Sequence, residues 1–176
     1  MKSIKDKRYL KIQQIKLPKI YQRYMPIFDK KYLEQKTKIS SLDNVSMKNK
    51  KLIIKFLFET GIRASELKTI IKINKDTIIV KGKGAKIREI FHNYQTTKLL
   101  APFSETLKTL RLWVKEILGT KYTPHSIRRS HATHMLLKGA NPKAVMLQLG
   151  HVKVETTFRY LQLCKKINQK IYNKFF

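Results

Sequence analysis

A mainly α-helical domain carrying one small antiparallel β-sheet, an α+β fold, is what this sequence predicts. Two observations carry that expectation: the hydrophobic period changes twice along the chain, and helix caps punctuate it at regular intervals. Apolar residues fall at helical spacing before Gly61, in β-rich runs between residues 69 and 92, and at helical spacing again from Glu105. Gly61, Gly119, Gly139 and Gly150 each close an apolar stripe, and Thr123-Pro124 and Asn141-Pro142 each open one.

In chain order, residues 1 to about 45 form a strongly basic arm with Pro18, Pro26 and interspersed aromatics, ending in one helix across roughly 26–37. The segment NKKLIIKFLFE places Leu52, Ile53, Phe56 and Leu57 on one helical face, and a short helix around Ala64–Thr69 follows the Gly61 cap. The runs TIIKINKDTIIV and IREIFH are separated by the turn KGKGAK, and Asn74, Lys75 and Asp76 break the first into two short strands. From Glu105 the stripe Leu107, Leu110, Trp113, Val114 and Ile117 predicts a helix, and two further helices run from Pro124 to Gly139 and from Pro142 to Gly150. The end of the chain, LQLCKKINQKIYNKFF, sets Leu161, Leu163, Ile167, Ile171, Phe175 and Phe176 against Lys165, Lys166, Lys170 and Lys174, an amphipathic helix. The expected division is an arm with a short helix over 1–45, a catalytic domain over 46–160 and a C-terminal helix over 161–176.

The 176 residues suffice for one well-packed domain. Charge is the strongest compositional signal: 39 Lys and Arg against 11 Asp and Glu leave a net +28, which favours a polyanionic partner, nucleic acid above all. Only eight of the basic residues are arginine, and abundant Lys, Ile and Asn also fit translation of an AT-rich genome. Arginine in such a chain therefore marks places where a planar fork matters. No apolar run reaches the roughly 20 residues a membrane helix needs. The lone Cys164 has no internal disulfide partner, and a cytoplasmic location is expected.

A metal-dependent phosphoryl-transfer site needs converging carboxylates, and the few Asp and Glu here form no cluster. GKGAK lacks the length and ending of a nucleotide-binding loop. Chemistry on a phosphodiester would then rest on protein cations. His125 and Arg128 lie three apart in the first turns of a helix, where backbone N–H groups already favour an anion. Arg63 follows the Gly61 cap, His151 follows Gly150, and Tyr160 lies nine residues further on. Glu66 is expected to hold the helix or an arginine. His131 and His134 have zinc-like spacing but no partner ligands nearby, and are read as helix packing. His92 receives no role.

The ordered motifs Gly-Ile-Arg-Ala-Ser-Glu-Leu (61–67), Gly-Lys-Gly-Ala-Lys (82–86), Thr-Pro-His-Ser-Ile-Arg (123–128), Leu-Gly-His (149–151) and Thr-Thr-Phe-Arg-Tyr (156–160) resemble the tyrosine recombinase, or phage integrase, family. The style is that of Xer-like members. The resemblance implies the catalytic-domain fold of that family, with Arg63, Arg128 and His151 holding the scissile phosphate, His125 assisting proton transfer and Tyr160 as nucleophile. It implies Lys83 as general acid, chosen over Lys81 and Lys86 because it stands between two glycines as in the family pattern. Lys81, Lys86 and Arg129 are expected at the DNA, Arg129 standing where many relatives have histidine. No cofactor or metal is implied. The implied partner is double-stranded DNA in the bacterial nucleoid, bound by a monomer that forms a dimer on one site and a tetramer in the synapse. The C-terminal helix would dock on its own domain or in a neighbouring protomer. The short N-terminal region fits a complete short relative, such as the inversion enzymes of fimbrial switches, or a fragment starting near Leu17-Pro18-Lys19. A non-catalytic DNA-binding protein of the same fold and a type IB-like topoisomerase are the competing readings.

Overall fold

Asp29 decides where the first helix begins. Its side chain accepts a hydrogen bond from the Tyr32 N–H at 2.8 Å, so the helix expected from Pro26 starts at Lys30 and ends at Thr37 (α1). The computed structural model describes residues 26–150 and Asn173, excluding the side chain of Lys83. The expectations for residues 1–25, His151, Tyr160, Cys164 and the C-terminal helix fall outside the described residues.

The second helix, α2, spans Val45–Thr60, capped by Asn44 onto the Met47 N–H and closed by Gly61 at φ 63°. Its stripe of Ile53, Ile54, Phe56, Leu57 and Phe58 is buried, and α1 and three later helices pack against it. The turn Ala64–Thr69 forms as a 3-10 helix and leads into a meander of β1 (Ile70–Ile73), β2 (Thr77–Lys81) and β3 (Ile87–Phe91), ordered β1-β2-β3 with both pairs antiparallel. The break expected at Asn74–Asp76 is the first hairpin. Ile78, Val80 and Ile90 point inward with the two-residue period of a half-buried sheet. The expected turn KGKGAK is closed by the Gly82 N–H donating to the Lys86 carbonyl at 2.8 Å.

One element has no counterpart in the expectation: α3, Tyr94–Thr97, capped by Asn93 onto the Gln95 N–H. Four residues are too few to show a helical period. The stripe after Glu105 becomes α4, Leu107–Leu118, with Thr106 as N-cap and Leu110, Val114, Ile117 and Leu118 buried. The two punctuated helices are α5, Pro124–Leu137, and α6, Pro142–Leu149. The large core joins α1, α2, the sheet, α4 and the start of α5, and a smaller one of Ala132, Leu136, Val145 and Leu149 joins α5 to α6. Tyr32 ties α1 down by donating its hydroxyl to the Leu118 carbonyl at 2.8 Å. No helix among the described residues is long and apolar enough to cross a membrane.

His131 belongs to this packing. It is buried, its Nδ1 lies 2.6 Å from the Phe58 carbonyl oxygen, and its ring meets Phe58 edge to face at 6.3 Å. Burial, with the Arg128 charge beside it, lowers its pKa from 6.5 to about 4 against the opposing effect of the Phe58 carbonyl. His134 packs obliquely on Phe58 at 5.8 Å. His92 is engaged by Thr97 Oγ1 at 2.7 Å and the Asn74 carbonyl at 3.0 Å.

A folded pKa below the unfolded one means that neutral His131 contributes stability fully above pH 6.5, lost as pH falls toward 4. The loss should reach roughly 3 kcal/mol over that window. Urea unfolding across it should show a His131→Asn variant, which keeps a donor for the Phe58 carbonyl, losing clearly less than the parent. Parallel pH profiles would contradict this account.

Candidate anion-binding active site

Glu66 is 2% exposed, so its carboxylate must find donors inside the protein. It finds three: the Arg63 backbone N–H at 2.8 Å, the Arg63 guanidinium at 2.9 Å and the Arg88 guanidinium at 2.7 Å. Burial pushes its pKa up, but the Arg88 hydrogen bond and charge and the Arg63 contacts outweigh that and hold the carboxyl below its usual range. This is the structural role expected of Glu66, with a second arginine that the sequence did not expose.

Arg88, on β3, spans two elements. One arm grips Glu66 and the other donates to the Gln148 carbonyl of α6 at 2.6 Å. Gln148 in turn donates to the Thr60 carbonyl at 3.0 Å and the Phe91 carbonyl at 2.8 Å, and accepts from the Phe91 N–H at 3.1 Å. The end of α2, the sheet edge and the end of α6 are thereby clasped together.

Two more arginines bind the same helix ends. Arg128, 4% exposed, spans the Gly61 carbonyl at 2.6 Å and the Leu149 carbonyl at 2.5 Å, and Arg63 donates to the Gly150 carbonyl at 3.0 Å. The last carbonyls of α2 and α6 carry the negative end of each helix, which suits guanidinium. Arg63 and Arg128, 65 positions apart in sequence number, are thus brought side by side.

They line a cavity of about 630 Å³ together with Arg111 and His125. Ile62, Ala64, Ser65, Leu107, Thr123 and Pro124 complete the described part of its wall, which among the described residues contains no carboxylate. The N-terminus of α5 opens there, fixed by a reciprocal cap in which Thr123 Oγ1 accepts from the Ser126 N–H and Ser126 Oγ from the Thr123 N–H, both at 3.2 Å. Partial burial, then the Arg129 and Arg128 charges, lower the His125 pKa below 6.5, so the neutral ring that can take a proton is favoured at neutral pH. Three guanidiniums, a helix N-terminus and an imidazole around a cavity without acids can bind and polarise an anion with tetrahedral oxygens.

Of the residues expected at DNA, Lys81 and Lys86 are exposed on either side of the 82–86 turn. Lys83 stands in that turn, where Gly84 takes φ 74°. Arg129, like Arg128 beside it, is 4% exposed, because α5 is buried almost all round from Ser126 to Thr133, and its charge acts on His125. Arg111 joins the cavity without having been singled out. Its one sequence signal was arginine in a lysine-rich chain.

Residues 101–166 match the family model described as the phage integrase family. The chain is 32% identical over 153 residues to a protein named tyrosine recombinase XerC of Staphylococcus saprophyticus, covering 69% of this chain and 52% of that relative, so it spans about half its length. The crystal structure of XerA recombinase superposes with a TM-score of 0.71 at 20% identity, over 85% of this chain and 65% of that one. That of the XerH site-specific recombinase bound to its difH substrate does so with a TM-score of 0.66 at 22% identity, over 78% and 50%.

Gly150 takes φ 62°, and a Cβ there would lie 2.7 Å from Arg88 Cδ and Nε, whereas one at Gly139, φ 89°, would meet nothing within 4 Å. Both alanine substitutions incur left-handed strain of about 1 kcal/mol. Gly150→Ala must also displace Arg88, so it should cost at least about 1 kcal/mol more than Gly139→Ala by urea unfolding. Equal losses would show that Arg88 does not hold this position.

Proposed function

We infer that this chain belongs to the phage integrase family of tyrosine recombinases, through its catalytic domain, and propose that it cuts and rejoins DNA strands. The observation that carries the proposal is the acid-free cavity where Arg63, Arg128, His125 and the α5 N-terminus converge. A scissile phosphodiester fits that chemistry: guanidinium forks hold non-bridging oxygens and stabilise charge as the phosphorus becomes five-coordinate.

In the proposed reaction the Tyr160 hydroxyl attacks phosphorus, forming a 3′-phosphotyrosine bond and breaking the bond to the 5′ oxygen. Neutral His125 assists removal of the tyrosine proton, Lys83 protonates the departing 5′ oxygen, and Arg63, Arg128 and His151 hold the phosphate. The phosphodiester energy stays in the phosphotyrosine, so the 5′ hydroxyl of a partner strand reverses the step without ATP or metal. We place the protein beside the Xer-type members, acting on double-stranded DNA in the bacterial cytoplasm. It would bind as a dimer per site and a tetramer in the synapse, the segment after Tyr160 docking between protomers. The net charge of +28 supports a DNA partner.

A nicked duplex pool of randomised sequence tests this, because the nick lets the short fragment bearing the released 5′ hydroxyl diffuse away and strands the covalent intermediate. The expected result is an SDS-stable protein–DNA adduct at a 3′ phosphate, formed in EDTA, abolished by Tyr160→Phe while binding persists. Binding without an adduct would leave a non-catalytic DNA-binding protein. Relaxation of supercoiled plasmid without strand exchange would point to a topoisomerase, and an adduct requiring divalent metal would overturn the mechanism.

A further inference from the structure

Arg63 and Arg128 account for one phosphate, yet the cavity they line has room for more, and a third guanidinium stands in it. Arg111 and Leu107, one turn apart on α4, both face the cavity. The other side of α4 carries Leu110, Val114 and Leu118 into the core, so the helix cannot rotate Arg111 away without unpacking. Both the Ala64–Thr69 turn and α5 pack on α4, which fixes Arg111 between the element after Arg63 and the one bearing His125.

Arg111 is solvent-exposed, and among the described residues it has no carboxylate partner. It therefore serves neither the core nor an ion pair within the described fold. Only eight of 39 basic residues are arginine, yet among the described residues the three cationic side chains lining this cavity besides His125 are all arginine. A solvated helix face would be served by lysine, as Lys108 and Lys115 show on the same helix. The planar fork is suited to two oxygens of one phosphate.

We propose that Arg111 holds a second phosphate of the same DNA strand, adjacent to the scissile one, so that the cavity receives a two-phosphate stretch of backbone. Consecutive phosphates advance about 3.4 Å along the duplex axis in each strand, a repeat that a cavity of about 630 Å³ can accommodate. The role is positioning. With two successive phosphates gripped, the strand cannot slide by a nucleotide, and the reacting phosphorus is set in register with the nucleophile. This rests on the reading of the cavity as a phosphodiester site.

Two probes separate the inference from that reading: inorganic phosphate, with one phosphate, and thymidine 3′,5′-bisphosphate, with two at the spacing of one nucleotide. The side-chain Nε–H signals of Arg63, Arg111 and Arg128 would be followed by NMR during titration of the full chain. Inorganic phosphate should move Arg63 and Arg128, and the bisphosphate should bind about tenfold more tightly and move Arg111 on the same isotherm. Arg111→Gln should abolish that preference while its urea unfolding midpoint stays that of the parent, which shows the variant is folded, as its exposed side chain allows. Arg111→Lys should restore part of it, and Lys108→Gln, which removes a charge from α4 outside the cavity, should leave it intact. A preference that survives Arg111→Gln, or disappears equally with Lys108→Gln, would overturn the inference and leave the phosphate site standing. Failure of either probe to move Arg63 and Arg128 would overturn both.

Discussion

The buried carboxylate of Glu66 is the constraint on which the site depends. A charge at 2% exposure survives only with donors around it, and here those donors are the Arg63 backbone, the Arg63 guanidinium and Arg88. Breaking such a pair from one side leaves a buried charge uncompensated, typically at 3–5 kcal/mol, whereas apolar replacement of both partners is often neutral. The pair is therefore better understood as a device for geometry than as a source of stability. It fixes the start of the 3-10 turn, the direction of Arg63 and the course of β3 in one place.

From that anchor the remaining cations follow. Arg88 reaches α6 through the Gln148 carbonyl, and Arg128 bridges the ends of α2 and α6 through Gly61 and Leu149. Helix C-termini hold two arginines and a helix N-terminus adds its own positive end, so the described lining of the cavity is cationic, with the Glu66 carboxylate behind Arg63 turned to Arg63 and Arg88. Such preorganisation is what charge stabilisation in a transition state requires, because the dipoles need not rearrange as charge develops. Two neighbouring phosphates, one held by Arg63 and Arg128 and the other by Arg111, would use that field along the strand.

Local information in the sequence was enough for most of the fold. The change of period located the sheet between α2 and α4, and Asp29, Asn44, Thr106, Thr123 and Asn141 all cap as their residue types allow. Tyr94–Thr97 escaped because four residues have no period. The site was legible where motif order placed Arg63, His125 and Arg128, which the cavity unites. Arg88, Gln148 and Arg111 were not legible, since their meaning lies in contacts 22 to 88 positions away in sequence or in which side of a helix faces the cavity.

The dependence of the site on Glu66 is tested most directly by a double-mutant cycle between Glu66→Gln and Arg88→Gln, followed by urea unfolding at pH 7. The account predicts that each single change is costly and that the double variant loses at least about 1.5 kcal/mol less than the two losses added, since the second change removes a charge the first left without its partner. Additive losses, within about 0.5 kcal/mol, would show that the two side chains act independently and would contradict the account.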